Sequence, residues 1–300
     1  MSVDPVAARI PLSTGVSLEL LEWLPDDPAC EHTVLLLHGY ADLAWGWKPV
    51  ADAGLRGRYH LLAPSLRGHG ASDWIGAGAM YYFLDYVADV ASLVGQCARK
   101  RLSVVGHSMG GMVAAYLAGT YPERVDRLVL LEGLVVDERL TSPERLRISN
   151  DTRADTVARR GTQEEPGSRR FPTLEEAAAR MLHHDPDLDP ALARFLCEKS
   201  CLRLSSGEWV FRHDPMLGPK TPMGFEVEVA RRFWSQISCD VLHVEGDRSV
   251  FKLPPDTHRR RLEAFPHLHT HTMPNASHMM IRNQPEAVVK LLVDFLEKRS

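Results

Sequence analysis

Gly106-His107-Ser108-Met109-Gly110 sets a hydroxyl between two glycines, directly after the apolar run Leu102-Ser103-Val104-Val105 and before a helix-patterned stretch. A nucleophile elbow needs a strand, a tight turn and a helix in that order. The glycines let the backbone bend without Cβ clashes and leave the Ser108 hydroxyl exposed. The helix that begins there aims its first N–H groups at any developing negative charge. The chemistry expected is attack of Ser108 on an acyl carbonyl; the bland alternative is an ordinary strand-to-helix turn.

Such a serine needs a base. His278, in Asn275-Ala276-Ser277-His278, follows the last strand-like run and precedes the last helix, so its loop emerges at the same sheet edge. His267, His269 and His271 alternate along that last strand and read as one strand face meeting solvent rather than a metal site. His183-His184 reads as surface. The orienting acid stays open between Glu132, at the end of Leu128-Val129-Leu130-Leu131, and Asp247, just past Val241 to Val244. Either carboxylate could fix the imidazole tautomer. His38-Gly39-Tyr40 follows the first strong strand, where the N–H groups of Tyr40 and Met109 would form an oxyanion hole. Trp45, Tyr81 and Phe211 are guesses for substrate-binding walls, each as readily core.

The elements that must position these groups alternate along the chain. Thr33 to Leu37, His60 to Ala63, Leu102 to Val105, Leu128 to Leu131, Val241 to Val244 and Leu268 to Met273 read as strands. Tyr82 to Lys100, Gly111 to Thr120 and the stretch after Pro285 read as helices. Continuous rather than alternating apolar runs suit a mostly parallel sheet covered on both faces, hence a doubly wound α/β fold. The rhythm breaks from Val136 to Met223, where helix signals dominate and Trp209-Val210-Phe211 is the lone weak strand. The organisation expected is core over 1–135, an inserted helical cap over 136–223, and core again over 224–300.

Composition supports an ordinary globular protein, 44% apolar and 25% charged, with a formal charge of −4 that gives no sign of nucleic-acid or membrane-surface binding. Five scattered cysteines argue against a disulfide framework, and Cys197 with Cys201 reads as packing. No signal peptide and no membrane-length apolar stretch is visible, so a cytoplasmic protein is expected, as monomer or homodimer. No metal or organic cofactor is required. The expected partner is a small-molecule acyl substrate.

Taken in order, His38-Gly39, Arg67-Gly68-His69-Gly70-Ala71-Ser72-Asp73, Gly106 to Gly111, Tyr121-Pro122-Glu123-Arg124-Val125 and Asn275 to His278 resemble the α/β-hydrolase superfamily across nearly the whole chain. Among its members the cap-bearing serine hydrolase-like proteins look closest, from Leu128 to Leu134 and Arg212-His213-Asp214-Pro215. The resemblance implies a cytoplasmic serine esterase with a catalytic triad, acting on an ester, thioester or lactone. Two departures stand out. The family usually places its acid where Ser249 stands, whereas haloalkane dehalogenases can take a Glu after the sixth strand, where Glu132 stands; the choice leans to Glu132. Ser65 replaces an Asp found in many relatives. Dehalogenases and epoxide hydrolases of this fold use Asp at the elbow, so Ser108 favours acyl transfer. The same Ser-His pair also serves lyases, C–C bond hydrolases, perhydrolases and cofactor-free oxygenases. A non-catalytic binding protein and a cap-mediated interaction module are further alternatives.

Overall fold

Leu35 and Leu37 pack into one core while Val34 and Leu36, on the same strand, pack into another. Both side-chain directions of the run are buried, which is why it reads as apolar without interruption. The computed structural model describes residues 4–76, 78–134, 142–218 and 225–298. Among these, eight strands form one sheet, in the order β1 (Val6–Pro11), β2 (Ser17–Trp23), β4 (His60–Pro64), β3 (His32–Leu37), β5 (Arg101–His107), β6 (Arg127–Leu131), β10 (Asp240–Gly246) and β11 (Leu268–Met273). From β4 to β11 the neighbours run parallel; β2 is antiparallel to both β1 and β4.

Helices cover both faces. α1 (Phe83–Cys97), α2 (Met109–Thr120) and α6 (Val227–Trp234) bury their apolar residues in one core, and α9 (Pro285–Leu296) buries Val288, Val289, Leu292, Phe295 and Leu296 in the other. α2 is buried on nearly every side, so it shows no amphipathic stripe. From β3 the chain moves outward to β4, then crosses back to β5 on the other side of β3. Ligand sites in such sheets lie at the carboxyl ends of the strands flanking this reversal. The loops carrying Gly39 and Ser108 leave β3 and β5 there.

Residues 142–218 interrupt the alternation. They carry α3 (Ser142–Arg159), α4 (Leu174–His184) and α5 (Pro190–Ser200). Thr173 caps α4 by accepting from the Glu176 N–H, and Asp189 caps α5 by accepting from Leu192. They also carry a small antiparallel sheet of β7 (Arg170–Phe171), β9 (Trp209–Phe211) and β8 (Cys201–Arg203). The inserted segment is therefore mixed rather than purely helical. β7 and β8 are too short to show a period in sequence. Phe171, Leu174, Cys197 and Cys201 share a separate small core, a packing role for the two cysteines. The expected cap limits at Val136 and Met223 lie outside the described residues.

This segment is tied to the loop after β4 by a buried carboxylate. Asp214 accepts from Tyr81 Oη at 2.7 Å and from the Arg160 guanidinium, and its backbone N–H donates to Gly68 O at 2.8 Å. Among the described residues no helix is long and apolar enough to cross a membrane.

Candidate active site

Ser108 adopts φ 51° and ψ −118°, a conformation non-glycine residues rarely occupy. It is held there by its neighbours: its N–H donates to Leu131 O at 2.9 Å, and its carbonyl accepts from Gly111 at 3.0 Å. The turn is possible only with the glycines on either side. A Cβ at Gly106 would stand 2.3 Å from Gly110 O, and one at Gly110 would stand 2.2 Å from Leu37 O. Strand β5, the elbow and the start of α2 thus close on one another at backbone contact.

Glu132 follows β6 by the same kind of bend, with φ 54° and its N–H donating to Val244 O at 2.8 Å. Its carboxylate is 1% exposed. Oε1 accepts from Gly246 N at 2.6 Å, while Oε2 accepts from Ser249 Oγ at 2.7 Å and lies 3.2 Å from His278 Nδ1. Asp247 is exposed. Its carboxylate accepts from Ala276 N at 3.2 Å and its carbonyl from Lys252 Nζ at 2.8 Å, so it braces the His278 loop from behind. Of the two acid candidates, the structure brings Glu132 to the imidazole and leaves Asp247 away from it.

His107, immediately before Ser108, fixes the other side of that loop. Its Nε2 pairs with the His278 carbonyl at 2.8 Å, and the two rings stand 4.9 Å apart. As a carbonyl accepts only, His107 Nε2 carries the hydrogen. Burial holds this imidazole down at about 4, neutral at ordinary pH. Phe251 covers the His278 ring, with centroids 4.5 Å apart. Ser108 and His278 line one cavity of about 860 Å³ together with Gly39, Tyr40 and Met109. Among the described residues the imidazole bonds to Glu132, and Ser108 Oγ makes no hydrogen bond.

Gly39 approaches the elbow closely: a Cβ there would lie 3.2 Å from Ser108 Cβ and 3.1 Å from His107 Nδ1. Two buried histidines shape this loop. His38 accepts from Leu66 N at 2.9 Å through Nε2 and pairs with Gly39 O at 2.7 Å through Nδ1; His69 Nε2 accepts from Ala41 N at 3.2 Å. Burial lowers both pKa values. An ion pair between buried Asp42 and Arg282 joins this loop to the turn beyond His278. A second tie runs to the inserted segment: Asn283 Nδ2, beyond His278, donates to Asp185 Oδ1 and to Ser277 Oγ, each at 3.1 Å. Sequence reasoning passed over the roles of His38, His69, His107, Asp42 and Arg282, and marked Ser249 only as a departure from the family pattern. Only the Ser249 position, where relatives keep an acid, offered a signal.

The cavity's apolar walls are Phe83, Met109, Pro186, Val250, Phe251 and Met279. The three guessed wall residues lie elsewhere, and each is corrected. Trp45 is buried in a core against Phe195, with Lys199 Nζ 4.2 Å from its ring centroid. Tyr81 stacks on Tyr86 and bonds Asp214. Phe211 meets Phe171 inside the cap. Aromatic type cannot separate wall from core when the cap's placement is unknown.

Comparison with known proteins agrees with this architecture. A family model described as "Alpha/beta hydrolase family" matches residues 34–291. The chain is 29% identical over 281 residues to a "Serine hydrolase-like protein" of Danio rerio, spanning 91% of this chain and 84% of that one. In structure it is similar to PA1622 of Pseudomonas aeruginosa PAO1, at TM-score 0.82 and 25% identity, covering 99% of this chain and 100% of that one. The thioesterase domain from the curacin biosynthetic pathway shares the fold at TM-score 0.81 and 21% identity, over 97% of this chain and 100% of that one.

Proposed function

The chain belongs to the alpha/beta hydrolase family, and from that premise we propose that it is a serine hydrolase cleaving carboxylic ester-like bonds through Ser108, His278 and Glu132. The observation that carries the reading is the Glu132 carboxylate on His278 Nδ1, at the edge of the cavity that Ser108 enters. A carboxylate on Nδ1 keeps the hydrogen there and leaves the Nε2 lone pair free to act as base. Catalytic hydrogen bonds often tighten only in the substrate complex, so Ser108 Oγ meets Nε2 when the acyl group binds.

His278 takes the Ser108 proton as Oγ attacks the carbonyl. The N–H groups of Tyr40 and Met109 hold the oxyanion, each contributing about 3–4 kcal/mol to the transition state. His278 then protonates the leaving group and activates a water for deacylation, while Glu132 stabilises the imidazolium. The apolar walls Phe83, Val250 and Phe251 suit an acyl chain, and His184, Asp185, Asp187 and Arg248 line the same cavity beside them. The likeness to a serine hydrolase-like protein and to a thioesterase domain supports acyl transfer over carbon–carbon cleavage.

The test is covalent labelling by a fluorophosphonate, with turnover of short p-nitrophenyl esters and of dicarbonyl substrates measured in parallel. Labelling and ester turnover are expected in the wild type and absent in Ser108→Ala. An unlabelled wild type, or label retained by Ser108→Ala, overturns the proposal.

A further inference from the structure

Strand β10 carries His243 and Glu245 two residues apart, so both side chains leave the same face of the sheet. The helix after that strand, α7 (Pro255–Leu262), brings His258 over them. One ligand atom from each of the three lies within 4.8 Å of the others. His258 Nε2 is 2.9 Å from Glu245 Oε1, yet makes no well-aligned hydrogen bond there, and the two imidazole centroids are 5.7 Å apart. His243 is 1% exposed, and its Nε2 is buried with no partner among the described residues. Buried polar groups nearly always find a partner, so an orphan inside a cluster of donors calls for one.

Two imidazoles and a carboxylate converging on one point make a donor set suited to zinc-class ions. Around a tetrahedral zinc, ligand atoms stand roughly 3.3 Å apart, so the cluster needs only side-chain adjustment to close. We propose that His243, Glu245 and His258 form a site for a divalent transition-metal ion, with the remaining position open to water. The helix α7 is then clamped to β10, one residue before the Gly246 N–H that holds Glu132. The site stands on its own residues and does not depend on the reading of Ser108. An ordinary helix–strand Glu–His pair is the competing account, and it leaves His243 Nε2 unexplained.

Tag-free protein, stripped with a chelator and desalted, is titrated with Zn²⁺ by calorimetry and with Co²⁺ by visible absorption. One equivalent is expected at micromolar affinity or tighter, with the intense absorption of low-coordinate Co²⁺ and a rise in Tm. His258→Gln and Glu245→Gln, both at partly exposed positions, each weaken binding at least tenfold. His269→Gln and His271→Gln, on exposed positions of β11, leave it unchanged. A wild type that takes up no stoichiometric metal overturns the proposal. So does binding that survives His258→Gln or disappears with the β11 variants.

Discussion

Ser249 Oγ donates to Glu132 Oε2 at 2.7 Å, on the same oxygen that faces His278. The position where relatives of this fold keep their acid thus supports a carboxylate supplied by a different strand.

Glu132→Gln is expected to lower kcat by about 10²–10⁴ with the fold intact, because a neutral amide neither fixes the tautomer nor stabilises the imidazolium. Asp247→Asn only weakens a brace on Ala276 N, since the amide oxygen still accepts, and should cost less than tenfold. Ser249→Asp added to Glu132→Gln should recover part of the loss. Steady-state ester kinetics on the three variants decide this, and the opposite ranking of the two single variants would assign the acid to Asp247.

Phe251 covers His278 and lines the cavity, whereas Trp45 is buried beneath the cap. Phe251→Ala should therefore lower kcat/KM most for long apolar acyl chains. Trp45→Ala should instead cost roughly 3–5 kcal/mol of stability by opening a hole in the core. A chain-length series of p-nitrophenyl esters, set beside urea melts, separates the two.

The ion pair inside the inserted segment, on the carboxylate that also holds Tyr81, should be sensitive to charge. Asp214 has no solvent exposure and Arg160 little, so Asp214→Asn leaves a guanidinium without its counter-ion. Breaking a buried pair from one side costs about 3–5 kcal/mol. Limited proteolysis should then cut the cap region before the core.

How much of this was legible in the sequence depends on where the information resides. The runs that became β3 to β6, β10 and β11 were readable because burial on both faces leaves an unbroken apolar string. The elbow was readable because its glycines answer to local sterics. β1 and β2 were not, since β1 lies exposed at the sheet edge and presents no core-facing pattern. The cavity walls come from Phe83, Pro186 and Phe251, far apart in the chain, and no local rule joins them. His243, Glu245 and His258 escaped for the same reason: a strand pair and a helical residue thirteen positions on match no familiar ligand spacing.

Acid should destabilise the fold through its buried imidazoles. His107 and His32 are both lowered from 6.5 to about 4, chiefly by burial. Between those values the unfolded chain binds the protons that the folded chain refuses, so stability falls as pH drops from about 6.5 to about 4 and levels off below. The loss reaches roughly 3 kcal/mol for His107 and less for His32, nearer the surface. Denaturant melts across that window should show the slope, and His32→Gln should make it shallower. A flat profile would mean that these rings protonate freely in the native state.

Ser108 and Glu132 both sit at positive φ, where an L-residue is about 1–2 kcal/mol worse off than glycine. Glycine at either bend would therefore make a sturdier molecule, and the molecule forgoes that gain to keep a hydroxyl and a carboxylate at the carboxyl ends of β5 and β6.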